Sequence, residues 1–141
     1  MRRSFVAALM IATLVPLARA AATGEAAKKK AAVAAAEAWV KLVDHGRYGA
    51  SWKEAATYFK GAVTREQWEQ MLNGARAPLG KVGSRRVTSA TFTTHAPGAP
   101  DGQYVVVQFD TSFAHKKSAV ETVTPMLDKD GKWRVSGYFI R

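Results

Sequence analysis

The residues best placed for acid–base chemistry are Asp110 and Glu121, which fall in two neighbouring predicted strands. An antiparallel pairing with a four-residue turn at 114–117 sets the two carboxylates opposite each other, ~5 Å apart. Carboxylates that close together raise the pKa of one of them, as general acid–base catalysis requires. The alternative is that solvent or a nearby cation screens the two charges. The candidate cations are Arg86, Lys116 and Arg134.

Other chemistry finds less support in the residue pattern. The three histidines, His45, His95 and His115, fall in predicted turns and have no metal-ligand spacing. Ser84 lacks the second glycine of a nucleophile elbow, and the glycines at 80 and 83 do not precede a helix as a phosphate loop would. The absence of cysteine excludes thiol catalysis and disulfides. We therefore expect no metal, no cofactor and no further catalytic residue.

Basic residues form three clusters in a chain of net charge +10. One is the lysine run 28–30, and the others hold the candidate anion-binding residues Arg85, Arg86, Lys116 and Lys117. Aromatic residues are not interleaved with these clusters, so a stacking platform for nucleic acid is not predicted. The clusters indicate at most a weak attraction to anionic polymers of the cell envelope.

Helical periodicity fills the first half of the chain. Apolar residues at 33, 36, 39, 40 and 43 lie at helical spacing, and Gly46 is a candidate cap at the end of that helix. Ser51 with Glu54, and Thr64 with Gln67, resemble capping boxes that begin a second and a third helix. We place Trp68, Met71 and Leu72 on the packed face of the third helix.

The second half alternates as β-strands do. The predicted strands cover residues 86–94, 104–113, 119–127 and 133–140, with a hairpin signal at Asp130 and Gly131. Pro125 predicts a gap or bulge in the third strand, because proline has no N–H to donate. The predicted pairing puts nine residues on the helix-facing side: Phe92, Val105, Val107, Phe109, Phe113, Met126, Trp133, Val135 and Phe139.

The opposite side of the predicted sheet collects an apolar cluster of candidate partner-binding residues. They are Val106, Val123, Tyr138 and Ile140. A contiguous apolar cluster on an open sheet face indicates an association surface, most simply that of a two-fold homodimer. The alternative is that the N-terminal segment folds back and covers it.

The N-terminus has the three parts of a secretory signal. Arg2 and Arg3 precede an uncharged apolar stretch over 5–17, and small residues surround Arg19. The apolar stretch is shorter than the ~20 residues that span a bilayer. The sequence thus predicts a signal peptide over 1–20, a frayed lead-in over 21–30 and one domain over 31–141, periplasmic or secreted. Export by the general or the twin-arginine route remains open.

Short segments through most of the mature chain carry a family resemblance. They are AEAW at 36–39, ASW at 50–52, REQW at 65–68, PLG at 78–80, SR at 84–85, QFDT at 108–111, ETV at 121–123 and WRVSGY at 133–138. They resemble domain of unknown function family 4019, which consists of small exported bacterial proteins. The order of helices and strands also resembles the nuclear transport factor 2-like, or cystatin-like, fold. Neither resemblance implies catalytic residues.

These observations predict an α+β fold, with three N-terminal helices packed on one face of a curved four-stranded antiparallel meander. The expected function is an exported, non-enzymatic binding or scaffold module that acts through protein contacts. The alternative is a small-ligand binder, or an unusual enzyme, with a cone-shaped pocket between helices and sheet. A third reading is electrostatic adhesion to the envelope, which requires the three basic clusters to share one face.

Cleavage of the signal is directly testable. We expect the exported protein to begin near Ala21, because small residues at positions 18 and 20 suit signal peptidase. Intact-mass analysis of the protein recovered from the periplasm or the medium measures this. Retention of Met1 on that protein would contradict cleavage.

Overall fold

The computed structural model of the protein describes residues 16–141, with side chains from Gly24 onward. Within these residues four helices precede one antiparallel sheet of four strands in the order β1-β2-β3-β4. The helices are α1 (Pro16–Asp44), α2 (Tyr48–Lys53), α3 (Thr57–Ala62) and α4 (Arg65–Ala75), followed by a 3₁₀ turn, Ala77–Leu79. The strands are β1 (Val82–Thr93), β2 (Tyr104–Phe113), β3 (Lys116–Leu127) and β4 (Trp133–Ile140). The α+β class and the meander are confirmed, with four helices in place of three.

Helix α1 begins earlier than the sequence predicts. Residues 21–30, expected as a frayed lead-in, belong to this helix. The segment is rich in alanine, the strongest helix former. Lys29 also pairs with Glu25 one turn earlier at 3.3 Å, and the Lys28 ammonium lies 5.4 Å from the centre of the Phe92 ring. Residues 1–15, which hold most of the predicted signal peptide, lie outside the described residues.

Two of the three predicted helix boundaries are confirmed. Gly46 adopts φ +71° after α1, the left-handed conformation of a cap glycine. At the start of α4, the Gln67 N–H donates to Thr64 Oγ1 (3.2 Å) and the Thr64 N–H donates to Gln67 Oε1 (3.0 Å). The capping box at Ser51 is wrong: Ser51 is buried inside α2, where its hydroxyl donates to the Tyr48 carbonyl at 2.6 Å.

A bulge near the start of β3, opposite Ser112 of β2, shifts the register of the sheet by one residue from the predicted one. The turn has two residues, Ala114 and His115, because Phe113 pairs with Lys116. The irregularity that follows brings Phe109 opposite Glu121, where the sequence predicts Thr122. A one-residue slip turns every later side chain to the other side of the sheet.

A second bulge lies where Pro125 predicts one. Thr124 of β3 faces two residues of β4, Ser136 and Gly137. The Ser136 hydroxyl donates to the Thr124 carbonyl at 2.7 Å, which bridges the interrupted ladder. The extra residue in β4 places both Val135 and Tyr138 against the helices.

Aromatic side chains fill the space between the helices and the sheet. The ring centres of Trp39 in α1 and Trp68 in α4 lie 6.1 Å apart, and both rings contact Tyr138 of β4. The Trp39 indole donates to the Ser51 carbonyl at 2.8 Å and the Trp68 indole to the Ser51 hydroxyl at 2.9 Å. The core prediction is confirmed for Val105, Val107, Phe109, Phe113 and Val135, which are all buried. Trp133, also predicted to be core, is half-buried.

Three large apolar residues predicted to face the core do not: Phe139, Met71 and Met126, the last of which pairs with Tyr104 and Arg134 on the outer side of the sheet. Phe139 and Met71 are both 56% exposed. Phe139 turns outward because it follows the inward-facing Tyr138 and pairs with Thr122, whose neighbours on either side are buried. Met71 lies on the solvent side of α4, next to the buried Leu72.

Trp68 should be the costliest of the α4 side chains to remove. We expect Trp68→Ala to lower the free energy of unfolding by ~3–5 kcal/mol, because it leaves a cavity beside Trp39 and Phe59. Met71→Ala on the same helix is the control and should change it by less than ~0.5 kcal/mol. Urea unfolding followed by circular dichroism measures both, and equal losses would contradict this assignment of the core.

Candidate functional site

A buried group of charged side chains lies where the end of α1 meets the sheet. The Arg85 guanidinium, from β1, binds both carboxylate oxygens of Asp44 at 2.6 and 2.8 Å. Its Nε donates to Glu121 Oε1 of β3 at 2.8 Å. Arg85 thus connects the last residue of the long helix to two strands of the sheet. We call Asp44, Arg76, Arg85, Thr111, Glu121 and Tyr138 the buried network.

Glu121 is the centre of this network and is fully buried. Oε1 accepts from Arg85 and from the Thr111 hydroxyl at 2.5 Å, and Oε2 accepts from the Tyr138 hydroxyl. Each carboxylate oxygen therefore has at least one donor, and the three donors come from three different strands. A carboxylate so enclosed orients its neighbours and has no open side from which a substrate could approach.

Arg76, at the end of α4, joins the network from the opposite side. Its guanidinium donates to the Gly80 carbonyl at 2.7 Å and to Asp44 at 3.3 Å, and lies 4.5 Å from the Phe113 ring centre. Two arginines thus face two carboxylates in a region that is largely buried. This balance of charge offsets the desolvation that burial imposes.

Two members of the network have shifted pKa values. Burial by itself would lower the pKa of Arg85, but its hydrogen bonds to Asp44 and Glu121, with their charges, raise it well above the ordinary value. Burial, aided by the negative charge of Glu121, raises the pKa of Tyr138 far above its usual range. Arg85 therefore stays charged and Tyr138 stays protonated at physiological pH, so both remain donors.

The predicted carboxylate pair does not form. The shifted register sets Asp110 opposite Val120, on the side of the sheet away from Glu121. Asp110 instead lies 3.1 Å from Arg86, one of the cations that the sequence offered as a partner. The pairing of Asp110 with Glu121 for acid–base catalysis is therefore wrong, because it depended on a register that the bulge changes.

The basic residues predicted to bind anions separate into different environments. Arg85 and Arg86 are consecutive in a strand and lie on opposite sides of the sheet. Arg85 is bound by the carboxylates of Asp44 and Glu121, whereas the Arg86 side chain is 78% exposed. Arg86 and Lys117 line a shared pocket of about 270 Å³, while Lys116 is not part of its lining. The lysine run 28–30 lies near Phe92, towards the other end of β1, so the clusters do not form one continuous patch.

The predicted partner-binding cluster is also divided by the register. Val123 is fully buried and Tyr138 belongs to the buried network, so neither is available to a partner. Ile140 pairs with the buried Glu121 and therefore lies on the helix side of the sheet, away from Val106. Of the four residues, Val106 alone lies on the outer side of the sheet. Buried and half-buried residues alternate along β2, and Val106 is one of the half-buried ones. The outer face, on the side away from α1, consists of Val106, Gln108, Val120, Thr122, Thr124 and Phe139.

Grooves in the described part of the chain lie at the borders of the fold. One of about 660 Å³ lies between α3 and the loop after β1, lined by Tyr58, Pro100 and Met126. Another of about 470 Å³ lies between α1 and β4, beside Trp39 and Trp133. The centre of the helix–sheet interface is occupied by the aromatic cluster and the buried network, where the sequence allowed a cone-shaped pocket.

Histidine and carboxylate side chains do not gather into a metal site within residues 24–141. His95 lies 3.0 Å from Asp101 in an exposed loop, with the His95 side chain 77% exposed. His45 and His115 are exposed in turns, as the sequence predicts.

Residues 35–138 match the protein family of unknown function DUF4019. The chain belongs to the DUF4019 family. No curated protein and no solved structure matches it, so the resemblance to the nuclear transport factor 2-like fold is an expectation without a solved relative. Among the described residues of this DUF4019 protein, no helix is long and apolar enough to cross a membrane.

The sequence analysis missed Asp44 and Arg76, and assigned Arg85 and Glu121 to other roles. One signal was available: in β3 a carboxylate at position 121 shares its side of the strand with Ala119 and Val123. A charged residue in an apolar alternation needs a buried partner. Which arginine provides it depends on how β1 and α1 pack, and no local pattern specifies that.

The two consecutive arginines provide a matched test of the buried network. Arg85→Ala should lower the free energy of unfolding by ~3–5 kcal/mol, because Glu121 would keep a buried charge without its cation. Arg86→Ala removes an exposed pair and should cost less than ~1 kcal/mol. Urea unfolding of both variants measures the difference. If the two losses are equal, the network does not hold α1 to the sheet.

Proposed function

We propose that this DUF4019 protein is an exported, non-enzymatic binding module that acts through protein contacts on its outer face. One observation carries the proposal: Phe139, on the edge strand β4, is 56% exposed on a sheet face that no helix covers in the described chain. Val106 and Val120 lie half-buried on the same face. A large exposed aromatic residue among smaller apolar ones is typical of a contact surface.

The interior supports a binding role more than a catalytic one. The carboxylates of Asp44 and Glu121 are bound by arginines, and Glu121 also by Thr111 and Tyr138. Catalytic groups need an approach for substrate, and the fully buried Glu121 has none. The grooves at the borders of the fold leave a small-ligand binder as the alternative, with the 660 Å³ groove beside α3 as its candidate site.

The partner that best fits the outer face is a second copy of the chain. Two strongly basic copies repel each other unless they meet at a neutral surface. Two charged pairs border the outer face, Arg86 with Asp110 at 3.1 Å and Arg134 with Asp130 at 2.7 Å, so much of the charge near it is already balanced within the chain. Two-fold symmetry then sets Phe139 of one copy near the same apolar face of the other.

The size of the face predicts a weak dimer. Four strands ~4.8 Å apart, each about eight residues long at ~3.3 Å per residue, present ~500 Å². Each partner of a standard interface buries about 800 Å². We therefore expect dimers at high protein concentration and monomers on dilution.

Sedimentation velocity over a range of concentrations tests this. The unmodified protein should dimerise reversibly, and Phe139→Glu should remain monomeric because it places a charge within the contact. Met71→Glu is the matched control, since Met71 is equally exposed, at 56%, but lies on α4. It should dimerise like the unmodified protein.

Two results would count against the dimer. A monomer at every concentration excludes self-association, and a dimer that persists in Phe139→Glu moves the interface elsewhere. The first result is also what the alternative from the sequence requires, in which the N-terminal segment folds back and covers the face.

A further inference from the structure

A small polar pocket lies beside the turn that joins β2 and β3. Arg86 and Lys117 line it with the hydroxyl-bearing residues Ser84, Ser112 and Ser118, in a volume of about 270 Å³. This is smaller than the ~300–1,000 Å³ of typical sites for drug-sized ligands. We call it the bulge pocket.

Two bulges shape the bulge pocket from both sides of Ser112. Gly83 is an extra residue in β1, between the pairs that Val82 and Ser84 make with β2. Lys117 and Ser118 together face Ser112 from β3. Bulges re-aim side chains and often lie beside functional sites. Here they gather three serines and two cations around one segment of β2.

The polar groups of the bulge pocket are largely unused by the protein itself. Within the described chain, Lys117 forms no ion pair, and the side chains of Ser84, Ser112 and Ser118 form no hydrogen bond. Arg86 makes one contact, to Asp110 Oδ2 at 3.1 Å, and its side chain is 78% exposed. The other N–H groups of its guanidinium remain available to a ligand.

We propose that the bulge pocket binds a phosphate group. A phosphate offers several strongly accepting oxygens arranged as a tetrahedron. This arrangement suits a pocket that is lined by three hydroxyl donors and two cations. A planar carboxylate has two oxygens and would leave most of these donors unused. Phe139, the residue that tests the outer-face contact, is not among its lining residues, so the two proposals can be tested separately.

Asp110 distinguishes an anionic ligand from a cationic or neutral one. Its carboxylate also lines the bulge pocket and occupies Arg86, so it opposes an incoming anion while it holds the guanidinium in place. Removing its charge should strengthen phosphate binding. A pocket that bound a cation or a neutral group through Asp110 would respond in the opposite way.

Titration of the protein with inorganic phosphate at constant ionic strength, followed by amide NMR shifts, tests the site. The amides of Ser84, Ser112 and Ser118 should shift first. Lys117→Ala should weaken binding about tenfold, since one charge-assisted contact is lost, and Asp110→Asn should strengthen it severalfold. Lys53→Ala removes the same charge from an exposed position at the end of α2 and should leave binding unchanged. Thermal melts check that each variant is folded.

Equal weakening by Lys117→Ala and Lys53→Ala would overturn the proposal, because the attraction would then belong to the net charge. Weaker binding by folded Asp110→Asn would overturn it as well. Vesicles identify the source of the phosphate: pelleting with phosphatidylglycerol vesicles but not phosphatidylcholine vesicles, reversed by inorganic phosphate, supports a lipid headgroup. Phosphate binding without pelleting supports a soluble phosphate. Phe139→Glu should bind phosphate normally, whatever its oligomeric state.

Discussion

The pairing of the Arg85 guanidinium with two carboxylates is the constraint around which the fold is arranged. A buried charge is costly unless an opposite charge and hydrogen bonds surround it. Asp44 supplies one partner from the end of α1 and Glu121 the other from β3. Thr111, Tyr138 and Arg76 then complete the network from β2, β4 and the end of α4. Each strand, together with α1 and α4, therefore contributes to one group of charges that is stable only when all are in place.

The buried network lies on one side of the sheet only, so the two sides differ in what they offer to solvent. Its side is closed by ion pairs and by the cluster of Trp39, Trp68 and Tyr138, so it stabilises the protein and offers little to a partner. The outer side has the exposed Phe139 and Arg86. Arg85 and Arg86 show the division most clearly, since consecutive residues of a strand point to opposite sides.

The bulge between β2 and β3 connects stability with the proposed sites. By adding one residue to β3, it turns Glu121 and Val123 towards the helices. Phe139, which pairs with Thr122, is turned outward in consequence. The same extra residue brings Lys117 and Ser118 beside Ser112 to form the bulge pocket. One local irregularity thus determines which carboxylate is buried, which aromatic residue is exposed and where two cations meet.

The sequence by itself determined the family, the α+β class, the β2 and β4 strands, the capping box of α4 and the bulge near Pro125. These follow from local signals: periodicity, cap residues and the missing N–H of proline. Tertiary structure decided the register, because the bulge at Lys117 and Ser118 has no residue pattern that marks it, and one extra residue reverses the sides of every residue beyond it. It therefore also decided that Asp110 and Glu121 lie apart, that Val123 is core, and that Asp44 meets Arg85 across 41 residues of chain.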